Sequence, residues 1–158
     1  MATFKDLNNN NWEIKITIGD LKRVKSITGH DLLAAENDDE VPLVVSLHDD
    51  SMLLADVVFA LVKPQLDAKE INEEAFGLSL GGEAMANAYN ALVEELSNFF
   101  HQRGDLALEK TLQKIKFTIK KALEAMEKKI DGISNEAIEA EVEKIFGEGS
   151  QKSPESAE

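Results

Sequence analysis

Residues that could carry acid–base or metal chemistry are few and far apart in this 158-residue chain. Its histidines are His30, His48 and His101, and no pair has the H-x-x-x-H spacing that places two imidazoles on one face of a helix. The sequence contains no cysteine, which excludes disulfide bonds, thiolate metal sites and cysteine nucleophiles. We therefore expect surface or helix-capping histidines and predict no catalytic group.

The carboxylates and glycines also lack the spacing of a known binding motif. Residues 38–40, Asp49 and Asp50 could hold a hard cation, but the alternate oxygen ligands, central glycine and final glutamate of an EF-hand loop are absent. The glycines of residues 77–82 are not followed by the lysine that a phosphate-binding loop needs. We interpret these segments as a solvated loop with a helix N-cap and as a glycine loop. The prediction is a non-enzymatic protein with no metal and no cofactor.

Charge is distributed unevenly along the chain, whose formal net charge is −13. Residues 31–95 contain 15 acidic and two basic residues, whereas residues 96–130 contain eight basic and four acidic residues. Binding to DNA or RNA requires clustered lysines and arginines, so the overall acidity disfavours a nucleic-acid partner. Two interpretations stay open: a basic helix packed partly against an acidic domain, or complementary surfaces that pair with a second copy or another partner.

Residues 3–18 are predicted to form a β-hairpin. Residues 3–7 form a short strand, the four asparagines of residues 8–11 favour a turn, and residues 12–18 alternate apolar and polar side chains. The apolar side chains of this second strand share one face, which helices must cover because an isolated hairpin is marginally stable. Asp20 is expected to cap the helix that follows, and Gly29 to end it.

Helical periodicity dominates the rest of the sequence. Residues 41–47 fit either a strand or a short helix, and a central buried helix begins near residue 50 and is expected to end at Pro64. Another helix covers residues 83–100. The longest helix, residues 105–130, carries an apolar stripe whose members recur every three or four residues: Leu108, Leu112, Ile115, Ile119, Leu123, Met126 and Ile130.

These elements predict a mainly α fold with a small N-terminal β-hairpin (α+β). A helical bundle packs on the hairpin, and one long helix lies towards the C-terminus. The expected organisation is a hairpin and helical core in residues 1–103, an extension of one long and one short helix in residues 104–146, and a disordered acidic tail in residues 147–158. No apolar run is long enough to span a membrane, and we expect no signal peptide.

Several segments resemble small proteins of tailed phages and prophages, within a group that lies among tail genes and is similar to tail assembly chaperones. The resemblance covers about residues 10–100, whereas residues 101–158 are not part of the shared pattern. The matching segments are WEIKITIGDLKRVK at residues 12–25, Thr28-Gly29, Asp31-Leu32-Leu33, LADVVFALVKPQ at residues 54–65, Phe76-Gly77, Leu80-Gly81-Gly82 and LVEELSNFF at residues 92–100.

This resemblance implies a non-enzymatic, mostly helical protein of the bacterial host cytoplasm. It would shield the tape-measure protein while the tail tube polymerises, as a homo-oligomer without nucleic acid or membrane. A chaperone for a long helical client needs exposed apolar surface repeated along an oligomer, so we assign partner binding to the longest helix. The assigned residues are Leu112, Ile115, Ile119, Leu123 and Met126, with Lys116 and Lys120 beside them.

Other interpretations remain open at this point. The apolar stripe could be ordinary intramolecular core. The protein could be a structural virion component, such as a head–tail connector or tail protein, or an acidic regulatory protein that binds a host partner in a salt-sensitive complex. The lysines Lys110, Lys114, Lys121 and Lys128 form a basic face on the same helix. We interpret this face as solvated because interleaved aromatic side chains are not expected there.

Overall fold

The computed structural model describes residues 1–33 and 43–147. Within these ranges the chain forms two strands and seven helices, which confirms a mainly α fold with a small N-terminal β-hairpin. In chain order they are β1 Ala2–Lys5, β2 Asn11–Ile14, α1 Ile18–Thr28, α2 Leu43–Asp49, α3 Ser51–Ala68, α4 Glu73–Ser79, α5 Gly82–Gln102, α6 Leu106–Asp131 and α7 Asn135–Gly147.

The chain divides into two compact units. The first is Met1–Lys116, and the second begins at Phe117, so the division lies inside α6. The sequence-based boundary at residue 103 lies one short turn before α6 begins. The second unit is described as far as Gly147, and the predicted tail beyond this residue lies outside the described residues.

The hairpin forms one wall of the core of the first unit. Strands β1 and β2 pair antiparallel, with Phe4 opposite Trp12 and Ala2 opposite Ile14, and all four side chains are buried. Strand β1 packs on α5 and β2 packs on α3, so helices cover the apolar face as expected. The amide of Gln65 in α3 bonds both the N–H and the C=O of Glu13, which fixes the hairpin edge to this helix.

The second strand is shorter than its alternating sequence predicts. It ends at Ile14, and Ile18, expected on the buried face, is instead 57% exposed at the start of α1. The N-cap of α1 is Thr17 rather than Asp20. The Asp20 carboxylate accepts a hydrogen bond from the Thr17 backbone N–H, and the Thr17 hydroxyl oxygen accepts one from the Asp20 backbone N–H, which together form a capping box. These bonds satisfy free N–H groups at the start of α1, which begins at Ile18, where the alternating pattern predicted that β2 would continue.

Helix α3 is the central buried helix, but it continues through Pro64 to Ala68. The prediction that Pro64 ends the helix is wrong. Proline removes one helical N–H donor and leaves the carbonyl of Ala60 without its usual partner. The guanidinium of Arg23 in α1 donates to this carbonyl at 3.1 Å and also binds Asp20 at 3.0 Å. A tertiary contact thus replaces the missing helical bond.

The segment left open between strand and helix is helical from Leu43 onwards, as α2; residues 41 and 42 lie outside the described residues. Helix α2 is tied to α5 by Tyr89, whose hydroxyl donates to the Val44 carbonyl at 3.1 Å. Burial, together with the charge of Asp49, raises the pKa of Tyr89 to about 12. The phenol is therefore a neutral structural donor at physiological pH.

Candidate interaction surface

Within residues 1–33 and 43–147, no group of three or more histidine or carboxylate side chains could hold a metal ion. His48 and His101 each approach a neighbouring carboxylate, of Asp49 at 3.0 Å and of Glu109 at 2.9 Å. The acidic residues 38–40 lie outside the described residues. Asp50 is the N-cap of α3 and accepts from the backbone N–H groups of Met52 and Leu53, as expected for a capping carboxylate.

In the apolar stripe of α6, Leu108 is 37% exposed, and from Leu112 onwards the side chains become more exposed along the helix. Leu112 is buried, and Ile115 and Ile119 are half-buried. Leu123, Met126 and Ile130 are exposed, with Met126 at 59%. The helical spacing places all of them on one face, so α6 displays a continuous strip of uncovered apolar surface over its last two turns.

The second unit has no core of its own in its described part. From residue 113 to residue 147 no side chain is buried. Helix α7 adds its own exposed apolar side chains, Ile138, Val142, Ile145 and Phe146. A helix of 13 residues such as α7 gains little stability in water without a packed apolar face. Exposed apolar side chains on both helices make this region a candidate interaction surface.

The two helices of this surface carry opposite charge. Helix α6 contains seven lysines and four acidic residues, and α7 contains four glutamates and one lysine. Lys116 and Lys120 are exposed, and Lys116 lies beside the apolar stripe on the helical wheel. The basic face formed by Lys110, Lys114, Lys121 and Lys128 lies opposite the stripe on the helical wheel, so a partner that covers the stripe meets few of the lysines of α6.

The basic face of α6 does contain an aromatic side chain, contrary to expectation. Phe117 is 62% exposed, and the ammonium of Lys121 lies 5.7 Å from its ring centre. Phe117 and Met126 are separated by nine residues, two and a half turns, so they lie on opposite sides of α6. Lys121 also donates to Glu124 at 2.9 Å, which lowers the pKa of this carboxyl group.

A groove on the first unit was not predicted from the sequence. It has a volume of about 410 Å³ and lies among α3, α4 and the first turn of α5. Phe59 and Phe76 line it, with ring centres 6.3 Å apart, together with Met52 and Met85. These residues are separated by up to 33 positions in sequence, and no local pattern brings them together.

In the described parts of the chain, no helix combines the length and apolar character needed to cross a membrane.

Helices α6 and α7 are both amphipathic, and each has one exposed apolar face. All seven residues assigned to partner binding from the sequence lie on α6, five of them in the stripe. No protein-family model, curated protein or solved structure matches the chain.

Proposed function

We propose that this protein is a non-enzymatic assembly factor that holds a helical client through the exposed apolar face of α6 and α7. In line with the sequence resemblance, the proposed client is a phage tape-measure protein, and the proposed role is that of a tail assembly chaperone in the host cytoplasm. The observation that carries the proposal is the uncovered apolar surface from residue 113 to residue 147.

The chemistry of this face suits a long helical client. Apolar side chains on a straight helix can pack beside a second helix over several turns, with side chains of one helix between those of the other. Lys116 and Lys120, assigned to the same site, favour clients with acidic side chains beside their apolar stripe. Such a contact can be repeated along an extended client by several copies, which is why we also propose a homo-oligomeric state.

The proposal can be tested by co-expressing the chain with a phage tape-measure protein and measuring the soluble client that co-purifies with it. The double variant L123E/M126E places two carboxylates in the apolar contact. Because buried unpaired charge is costly, client binding should weaken at least about tenfold. Both side chains are exposed, so the fold should survive, which circular dichroism would check.

Phe117→Glu provides a matched control on the same helix. Phe117 is as exposed as Met126 but lies on the opposite side of α6, so this variant should retain the client. If L123E/M126E retained the client as well as wild type while its fold was intact, the assignment of the site would be wrong.

Analysis of purified virions separates this role from that of a structural component. A chaperone should be absent from finished particles, whereas a head–tail connector or tail protein should be present in a fixed ratio to the other virion proteins. Stoichiometric retention in virions would therefore replace the chaperone proposal with a structural one.

A further inference from the structure

Strand β1 has an outer edge whose backbone groups bond no described residue. The side-chain amide of Gln65 bonds both the N–H and the C=O of Glu13, so these two groups point away from β1. Where opposite residues of an antiparallel pair do not bond each other, both direct their backbone groups outwards. Thr3 lies opposite Glu13, so its N–H and C=O point to the outer edge of β1.

Two bonds just after the strand support this alternation. The N–H of Asp6 donates to the Asn10 carbonyl at 3.1 Å, on the inner side of the hairpin. The N–H of Leu7 donates at 2.9 Å to the carbonyl of the last residue of α4, on the outer side. Lys5 lies two residues before Leu7 and therefore also directs its N–H and C=O outwards. The edge is thus open from Thr3 to Lys5 and closed at Leu7.

A cleft of about 410 Å³ lies along this edge. Thr3 and Lys5 line it on the side of the strand, and Glu83 and Asn87 line it on the side of α5. A further strand paired with β1 would lie about 4.8 Å from it, on the side of the cleft. The open backbone groups therefore face a space in which an extended segment can lie.

The flank of α5 beside this edge is acidic. Glu83, Asn87 and Glu94 are spaced by four and seven residues, which places them on one side of the helix. Both glutamates are exposed, neither pairs with another described residue, and α5 contains no lysine or arginine. A second copy paired through its own β1 would bring two acidic flanks together, which charge disfavours. Basic side chains on the added segment are favoured instead.

We propose that the outer edge of β1 binds an extended segment of a partner protein by strand addition, with lysine or arginine side chains directed at α5. Residues of the segment that pair with Thr3 and Lys5 share the outer face with the Lys5 side chain, which disfavours a basic residue there. The residues between them face α5 and Glu83. The segment should therefore alternate basic residues with uncharged or acidic ones.

This site goes beyond the proposed client binding. It lies on the first unit and uses none of the residues assigned to the client, so either proposal can fail alone.

An NMR titration of the full-length protein with a blocked heptapeptide of alternating threonine and arginine tests the site. The backbone amides of Thr3 and Lys5 should shift, with a dissociation constant of about 1 mM or lower. Binding should weaken at high salt because arginines face glutamates. A control peptide with glutamate in place of arginine should bind at least about tenfold more weakly.

Lys5→Pro tests the backbone bonds. It removes the N–H of residue 5 and leaves the pairing of β1 with β2 intact, because this N–H points outwards. Proline is tolerated in an edge strand where the missing N–H faces solvent. This variant should bind the arginine peptide at least about tenfold more weakly than wild type. Lys5→Ala is the matched control: it removes the same side chain, keeps the N–H and should bind at least as tightly as wild type.

Glu83→Lys tests the charge of the site without changing the strand, and it decides the question if Lys5→Pro fails to fold. It should weaken binding of the arginine peptide about fivefold, because a lysine would face the arginines. Glu74→Lys is an equal charge reversal at an exposed position of α4 that does not line the cleft, so it should bind as wild type does.

Other results would overturn the proposal. These are the absence of binding, amide shifts confined to residues away from the cleft, equal binding of the two peptides, and equal binding by Lys5→Pro and Lys5→Ala. If sedimentation velocity showed an oligomeric wild type that Lys5→Pro made monomeric, a second copy would occupy the edge instead of a basic segment.

Discussion

Asp6 is the most connected polar side chain of the hairpin. Its carboxylate is buried and accepts hydrogen bonds from the backbone N–H groups of Asn8 and Asn10, the side-chain amide of Asn10 and the indole N–H of Trp12, all between 2.9 and 3.0 Å. Burial opposes ionisation, but the bonds from Asn10 and Trp12 outweigh it and hold the pKa of Asp6 below its usual 3.8. The carboxylate thus organises the asparagine turn.

Asp6→Ala should lower the free energy of unfolding by about 1–3 kcal/mol, because the buried indole N–H of Trp12 loses its acceptor. Urea denaturation followed by Trp12 fluorescence measures this directly, since Trp12 is the single tryptophan. Asp67→Ala removes an exposed carboxylate paired with Lys63 and should cost under about 1 kcal/mol. Equal losses for the two variants would contradict this role of Asp6.

The same side chain contributes a pH dependence of known sign. A carboxyl group whose pKa is lowered by folding stabilises the fold above its unfolded-state pKa, and this stabilisation disappears as the pH falls through the folded-state value. The stability difference between wild type and Asp6→Ala should therefore shrink below about pH 4. Chemical denaturation at neutral and acidic pH would show it.

At the residue scale, the sequence predicts local features better than distant partners. The asparagine turn and the capping role of Asp50 follow from neighbouring residues. The role of Asp6 does not, because its acceptor function appears only when the turn brings Asn10 and Trp12 back to it. Phe117 lies four residues before Lys121, so the helical spacing itself places these side chains beside each other, and the expectation of a basic face without aromatic side chains was wrong.

At the scale of elements, helix α3 shows how a tertiary contact overrides a local rule. Proline disfavours helical continuation because of its missing N–H and its steric demand on the preceding residue. In α3, Arg23 from α1 supplies a donor to the carbonyl of the buried Ala60, and α1 packs along α3. This donor comes from a residue 41 positions before Pro64, which local sequence patterns cannot reveal.

A double-mutant cycle tests this compensation. Arg23→Met should cost about 1.5–3 kcal/mol in the wild-type background, because a charged donor to a helical carbonyl is lost. In a Pro64→Ala background the cost should be about 1 kcal/mol smaller, since the amide at position 64 can then bond the Ala60 carbonyl. The lost bond to Asp20 is common to both backgrounds and cancels. Identical costs measured by urea denaturation would contradict the mechanism.

Element boundaries show the same division between local and distant causes. The apolar face of Trp12, Ile14 and Ile16 is buried as its alternation predicts. The strand still ends at Ile14, and Thr17 and Asp20 form the capping box that starts α1 at Ile18. Helix α2 could not be distinguished from a strand because seven residues contain too few periods, and the hydrogen bond from Tyr89 comes from 45 positions away.

At the scale of the whole chain, apolar surface is buried in the first unit and exposed in the second. The hairpin, α1, α3 and α5 contribute a continuous set of buried side chains, whereas residues 113–147 contribute none. The apolar stripe was predictable from spacing alone. Spacing could not show whether the stripe is buried or exposed, because this depends on what packs against the helix. The groove was not predictable for the same reason.

Amide hydrogen exchange of the full-length protein, alone and bound to the tape-measure protein, tests the central claim most directly. At low concentration without client, α6 beyond Lys116 and α7 should exchange quickly, because helices without a packed face open easily. Binding should slow exchange in these helices and leave α3 and α5 unchanged. Protection of residues 117–147 equal to that of α5 before binding, or a client footprint confined to the first unit, would contradict the account.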